Sequence, residues 1–141
     1  MDIKTTTKLT SDDLQIMSTF EKLTKSKVED YLNDGDTLYF VVITNNFRAL
    51  VGKDGVNIKR MENAIGKKIK VFRHTKDLKE FIQNLTLQSA TKIDINEAEK
   101  SVELTVPNDK KAVLIGRDGR NINAIKSILS RHFGIKKVTI K

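Results

Sequence analysis

The sequence predicts an α+β fold built twice over, as two consecutive units that each run α-β-β-α-α-β, and three observations carry that prediction. A ten-residue segment recurs: Ala49 to Ile58 aligns with Val113 to Ile122 at an offset of 64 residues, with Leu, Gly, Asp, Gly, Asn and Ile identical in register. An apolar strand precedes each copy and an amphipathic helix follows it, so the repeat includes the flanks and fixes the architecture. Charge repeats too. Residues 48–76 hold nine Lys/Arg against Asp54 and Glu62, residues 110–141 hold nine against Asp118, and the rest of the chain is acidic.

The elements follow in order. Leu14 to Leu23 has helical periodicity, with Thr10 or Ser11 as its N-cap and Asp13 in its first turn. Val28 to Leu32 is a strand, and Asn33-Asp34-Gly35-Asp36 supplies hairpin-turn chemistry into an alternating strand, Leu38 to Ile43. A short helix leads into the Gly52-Lys53-Asp54-Gly55 loop. Beyond it, Ile58, Met61 and Ile65 mark one face of a helix that ends at Gly66, and a basic strand runs from Lys67 to Phe72.

The second unit repeats the plan with a helix at Leu78 to Leu85, a strand at Lys92 to Ile95, a turn through Asn96 to Lys100 and an alternating strand at Val102 to Val106. After the Gly116-Arg117-Asp118-Gly119 loop, Ile122, Ile125, Leu129 and Phe133 trace a helix about one turn longer than its counterpart. It ends at Gly134, before a strand at Lys136 to Ile140. The boundary falls near Thr75 with no Gly/Pro/Ser-rich linker, giving domains 1–75 and 76–141. Units this small bury little core alone, so the two are expected to pack as a rigid pair.

Composition narrows the partner. A net charge of +8 over 141 residues favours an anionic one. With 38% hydrophobic and 31% charged residues the chain suits a soluble globular protein, and no apolar run reaches the ~18 residues a membrane span needs. Met1 to Thr10 is polar and lacks a secretory core, and the absence of cysteine fits a reducing, cytoplasmic setting. No membrane partner, metal or cofactor is expected. His74 and His132 stand far apart without ligand-spaced acids, and no nucleotide-binding or nucleophile motif is present, so no catalytic residue is assigned and the protein is expected not to be an enzyme.

The chemistry lies in the two Gly-x-x-Gly loops. Glycine at both ends removes Cβ atoms and lets a sugar-phosphate backbone approach the main chain. Each loop opens a helix, whose positive dipole end favours phosphate, and Lys53 and Arg117 add mobile positive charge. Asp54 and Asp118 oppose that attraction and are expected to cap the helices that follow. Asn57 and Asn121 either hydrogen-bond a ligand or satisfy the helix start. Arg60, Arg120, Lys59 and Lys126 lie on the same helices as further phosphate candidates. Most aromatics fall at core spacing, so base stacking on aromatic rings is not the expected mode.

The tandem pair Val51-Gly52-Lys53-Asp54-Gly55 and Ile115-Gly116-Arg117-Asp118-Gly119, together with Arg131-His132-Phe133-Gly134-Ile135, resembles the type II KH domains of archaeal NusA-like proteins over nearly the whole chain from about Asp12. That resemblance implies a three-stranded sheet with helices on one face in each unit. It also implies single-stranded RNA as the ligand, about four nucleotides per loop. The expected contacts are Val51 to Gly55, Asn57, Ile58 and Arg60 in the first unit, and Ile115 to Gly119, Arg120, Asn121 and Ile122 in the second. Val51, Val56, Ile58 and Ile69, and Ile115, Ile122 and Val138, would wall an apolar groove for bases. The family links such proteins to transcription termination or antitermination. Unlike the bacterial NusA pattern, no polymerase-binding domain or OB-fold stands ahead of the pair, which leaves RNA polymerase a candidate partner of a chain expected to be monomeric. A ribosome-biogenesis or RNA-processing factor is the alternative role, and a single-stranded DNA binder a third.

Overall fold

The computed structural model describes residues 9–141; the polar stretch ahead of Leu9 lies outside them. Two compact units make up the described chain, one ending at Thr75 and the other spanning Lys76–Lys141. Among the described residues, no helix is long and apolar enough to cross a membrane.

The first unit begins with α1 (Ser11–Thr24). Its N-terminus is fixed by a capping box. The Thr10 hydroxyl accepts from the Asp13 N–H at 3.1 Å, and the Asp13 carboxylate accepts from the Thr10 N–H at 3.0 Å. Strands β1 (Lys27–Asn33) and β2 (Thr37–Ile43) then form an antiparallel hairpin with a bulge between Val28 and Asp30. Asp34 supports the turn by accepting from the Asp36 and Thr37 N–H groups. The chain crosses through α2 (Phe47–Val51) and α3 (Val56–Ile65) to β3 (Lys68–Arg73), which pairs parallel to β2. The sheet order is β1-β2-β3, which leaves β3 at an edge.

Phe20 of α1 stacks on Phe40 of β2 with ring centroids 4.0 Å apart, and Leu38, Val42, Leu50, Met61 and Ile69 complete the core around them. Burial of this kind contributes ~2–3 kcal/mol for each large apolar side chain. The expectation of an alternating β2 is corrected here. All residues from Thr37 to Val42 are buried, Tyr39 and Val41 as fully as their neighbours on the core face. A near-continuous apolar run, Leu-Tyr-Phe-Val-Val, is what a strand covered on both faces contains.

The second unit repeats the order with α4 (Leu78–Leu85), β4 (Lys92–Asn96), β5 (Ser101–Thr105), α5 (Asn108–Ile115), α6 (Arg120–Phe133) and β6 (Lys137–Ile140). Strands β4 and β5 pair antiparallel, β5 and β6 parallel, and β6 is the edge. Here β5 does alternate, with Val102 and Leu104 buried. Both α3 and α6 stop at a glycine in the left-handed conformation, Gly66 and Gly134. Ten residues make α3 and fourteen make α6, the extra turn the sequence anticipates.

Candidate nucleic-acid interface

Each unit presents its Gly-x-x-Gly segment as a tight link between two helices, and the two links share one backbone conformation. Gly52 sits at φ 81°, ψ 168° and Gly116 at φ 78°, ψ 172°. Asp54 and Asp118 follow at φ 55° and 56°, and Gly55 and Gly119 at φ 73° and 74°. The first glycine of each pair occupies a region of backbone space essentially closed to side-chain-bearing residues. Each also closes off the preceding helix, its N–H donating to the Arg48 carbonyl at 2.8 Å or the Ala112 carbonyl at 2.9 Å.

The glycine and the asparagine five residues later form one device. A Cβ on Gly52 would lie 2.9 Å from the Asn57 side chain, and a Cβ on Gly116 would lie 2.8 Å from both N and Cβ of Asn121. Into that space the Asn57 amide donates to the Ala49 carbonyl at 3.0 Å and the Asn121 amide to the Leu114 carbonyl at 2.7 Å. The two helices of each pair are thereby tied across the loop. The second glycines face open space: a Cβ on Gly55 meets nothing within 4 Å, and one on Gly119 nothing nearer than 3.7 Å.

The expectation that Asp54 and Asp118 cap the helices is corrected by these angles. The N-cap positions are Gly55 and Gly119, with no side-chain cap bond, and both aspartates lie in left-handed backbone where they are exposed beside Lys53 and Arg117. Aspartate tolerates that conformation better than most residues, which is reason enough for its presence.

The other expected residues divide. Lys53, Arg117 and Arg60 are exposed, Ile115 is exposed beside the second loop, and Val51, Asn57 and Arg120 are half-buried. Ile58 packs against the core cluster. Asn121 and Ile122 are buried, so their side chains hold the helix rather than face solvent. Of the expected groove walls, Ile69 and Val138 are also buried, Ile69 within the core cluster of the first unit.

Sequence reasoning did not single out the residues beside the first loop. Phe47 and Arg48 join Val51, Gly52 and Lys53 around a hollow of about 390 Å³. The four-residue spacing of Phe47 and Val51 on α2 was the available signal. A larger groove, about 1060 Å³, is lined by Asn57 and Arg60 together with Lys25, Lys27, Asn45 and Asn46. His132 packs edge-on against Phe81 with centroids 5.7 Å apart, a structural position. No group of three or more potential metal ligands occurs among the described residues.

Two α-β-β-α-α-β units, each with a β-β-parallel-β sheet and a Gly-x-x-Gly link between its last two helices, define a tandem type II KH protein. Residues 76–134 match the KhpA/KhpB KH-domain family. Over 138 residues the chain is 32% identical to the probable transcription termination protein NusA of Methanococcus vannielii, covering 94% of this chain and 79% of that protein. It is 26% identical to the protein of the same name from Halobacterium salinarum, over 96% of this chain and 99% of the relative. The crystal structure of APE1850 superposes with a TM-score of 0.72 at 28% identity, covering 94% of this chain and 99% of that one. The chain belongs to the NusA-like family of archaeal proteins.

Proposed function

We propose that the chain binds single-stranded RNA through its two Gly-x-x-Gly loops and acts in transcription termination or antitermination, the role named for its relatives. The observation that carries the binding mechanism is the shared loop geometry. In each unit a left-handed second glycine leaves the loop surface open, an exposed Lys53 or Arg117 stands beside it, and a helix N-terminus begins there. A phosphodiester backbone laid over the loop gains a close main-chain approach, a mobile cation and the positive end of a helix dipole. The ligand is unpaired RNA, because KH-type loops grip a few backbone nucleotides whose bases are free to be read. The protein is an RNA-binding, non-catalytic factor, and RNA polymerase is its proposed protein contact.

The test is charge reversal at the loops. Lys53→Asp and Arg117→Asp leave every glycine and both left-handed aspartates in place while changing each loop by two charges. Binding of a random single-stranded RNA pool should weaken in each single variant and be lost in the double variant, with melting curves unchanged. Wild-type affinity should fall with salt at about −0.7 in log–log slope per phosphate neutralised. A double variant that binds like wild type would refute the loop mechanism.

A further inference from the structure

The two repeats differ where the helix after the loop passes over the edge strand of its sheet. In the first unit the Glu62 carboxylate on α3 reaches across to β3 and accepts the Ile69 N–H at 2.8 Å. That N–H points outward from the sheet, away from β2, so Glu62 occupies a donor that an edge strand otherwise offers to a ligand. It also places a negative charge there. In the second unit Lys126 holds the position of Glu62 in the repeat. The ladders show which residue matches Ile69: Leu38 pairs with Ile69, and its counterpart Val102 pairs with Val138. Beside Val138 lies a groove of about 350 Å³ bordered by Lys126, Ser127, Ser130, Lys136 and Lys137. Three lysines and two serines thus border the groove beside Val138. Lys67 and Lys68 precede Ile69 as Lys136 and Lys137 precede Val138, so the exchange of Glu62 for Lys126 is what sets the two edges apart.

We infer that the two KH units are unequal, the second being the principal RNA site and the first being held weak by Glu62 acting as an internal acceptor on its own edge strand. This rests on the RNA-binding reading above and adds to it a division of labour. An RNA strand that leaves the second loop meets phosphate-binding lysines and a strand-edge N–H able to donate to a base or phosphate oxygen. A strand that leaves the first loop meets a carboxylate that repels phosphate and already holds the matching donor.

The experiment titrates full-length protein with a labelled pool of random single-stranded 12-mers at fixed salt, with thermal unfolding of each variant as a check on folding. Arg117→Asp and Lys126→Glu should each weaken binding about tenfold, the scale of one lost charged hydrogen bond, and Lys53→Asp by less than about threefold. In the Arg117→Asp background, Glu62→Ala should raise the residual affinity about threefold or more. Glu62→Gln, which keeps an acceptor over the Ile69 N–H while removing the charge and so disturbs the strand least, should raise it by less. Equal losses in Lys53→Asp and Arg117→Asp, or no gain from either Glu62 change, would overturn the inequality while leaving RNA binding intact. A Lys53→Asp/Arg117→Asp protein that still binds like wild type would instead remove the loop mechanism, and this inference with it.

Discussion

Replacing Gly116 by alanine puts a methyl group 2.8 Å from both the backbone N and the Cβ of Asn121, at a backbone conformation of φ 78°, ψ 172°. The conformational part costs about 1–3 kcal/mol, because that region is essentially closed to residues with a Cβ. The contact adds about 1–3 kcal/mol, since the atoms struck belong to the first turn of α6 and to a buried side chain that cannot swing away. Gly119→Ala is the internal control. Its φ of 74° and ψ of 13° are ordinary left-handed helical values, costing about 1–2 kcal/mol for alanine. No atom lies closer than 3.7 Å to the added methyl. The two variants should therefore differ by roughly 2 kcal/mol, or ~8 °C or more in the midpoint of thermal unfolding for a unit of this size. Measured side by side by circular dichroism, Gly116→Ala melts well below Gly119→Ala. RNA affinity should fall in Gly119→Ala despite its milder melting loss, because the methyl projects from the open side of the loop. Equal midpoints, or Gly119→Ala as the less stable protein, would show that the first glycine is not the structural one of the pair.

The asparagine ties can be weighed against each other by urea unfolding: Asn121→Ala strips a buried 2.7 Å bond from the Leu114 carbonyl and should cost about 1–3 kcal/mol, whereas Asn57→Ala, at a half-buried site, should cost about 1 kcal/mol or less. A larger loss at Asn57 would contradict the burial argument. At the start of α1, Thr10→Ala should cost about 1 kcal/mol through the capping box. The same box makes stability pH-dependent. The Thr10 N–H holds the Asp13 carboxyl below its ordinary value; burial, next in size, opposes it, and the Tyr31 hydroxyl adds to the lowering. A carboxyl depressed in the folded state contributes fully above the ordinary carboxylate value and loses that contribution as pH falls through and below it. Asp13→Asn should flatten the acid limb of the stability profile in that window; an unchanged limb would place the sensitivity elsewhere.

Local signals made most of the fold legible. The helix expected at Leu78 to Leu85 has those bounds in the structure, because Asp77 caps it by accepting from the Glu80 N–H and its apolar residues sit at helical spacing. The hairpins, both terminal glycines and the longer second helix were legible for the same reason: each depends on residues close in sequence. Three features were not. Burial on both faces of β2 is not a property of the strand's own residue pattern, so Tyr39 and Val41 looked like the outward half of an alternating strand. Asp54 and Asp118 looked like caps because residue type suggests capping, whereas the left-handed backbone that prevents it is a property of the whole Gly-x-x-Gly turn. Glu62 read as one acid in a basic block, and only the strand that α3 crosses gives its carboxylate a partner. The repeat itself was the strongest guide, and it informs twice: identities between the copies mark the loop, and the change from Glu62 to Lys126 marks where the copies diverge.

The parallel pairing of each edge strand bears on the order in which the chain folds. In both units the antiparallel hairpin joins neighbouring segments, while β3 and β6 reach their partners only after two helices and the glycine loop have been traversed. Closing that long connection costs chain entropy before any ladder bond forms, so the hairpin can assemble early and the edge strand late. The Gly-x-x-Gly turn sets the angle at which the intervening helices return the chain to the sheet. An alanine at Gly52 or Gly116 would then delay docking of the edge strand as well as weaken the finished fold, and an undocked strand leaves β2 or β5 open to pairing with another molecule. A half-buried glycine in a turn thus helps to keep the nascent protein from aggregating.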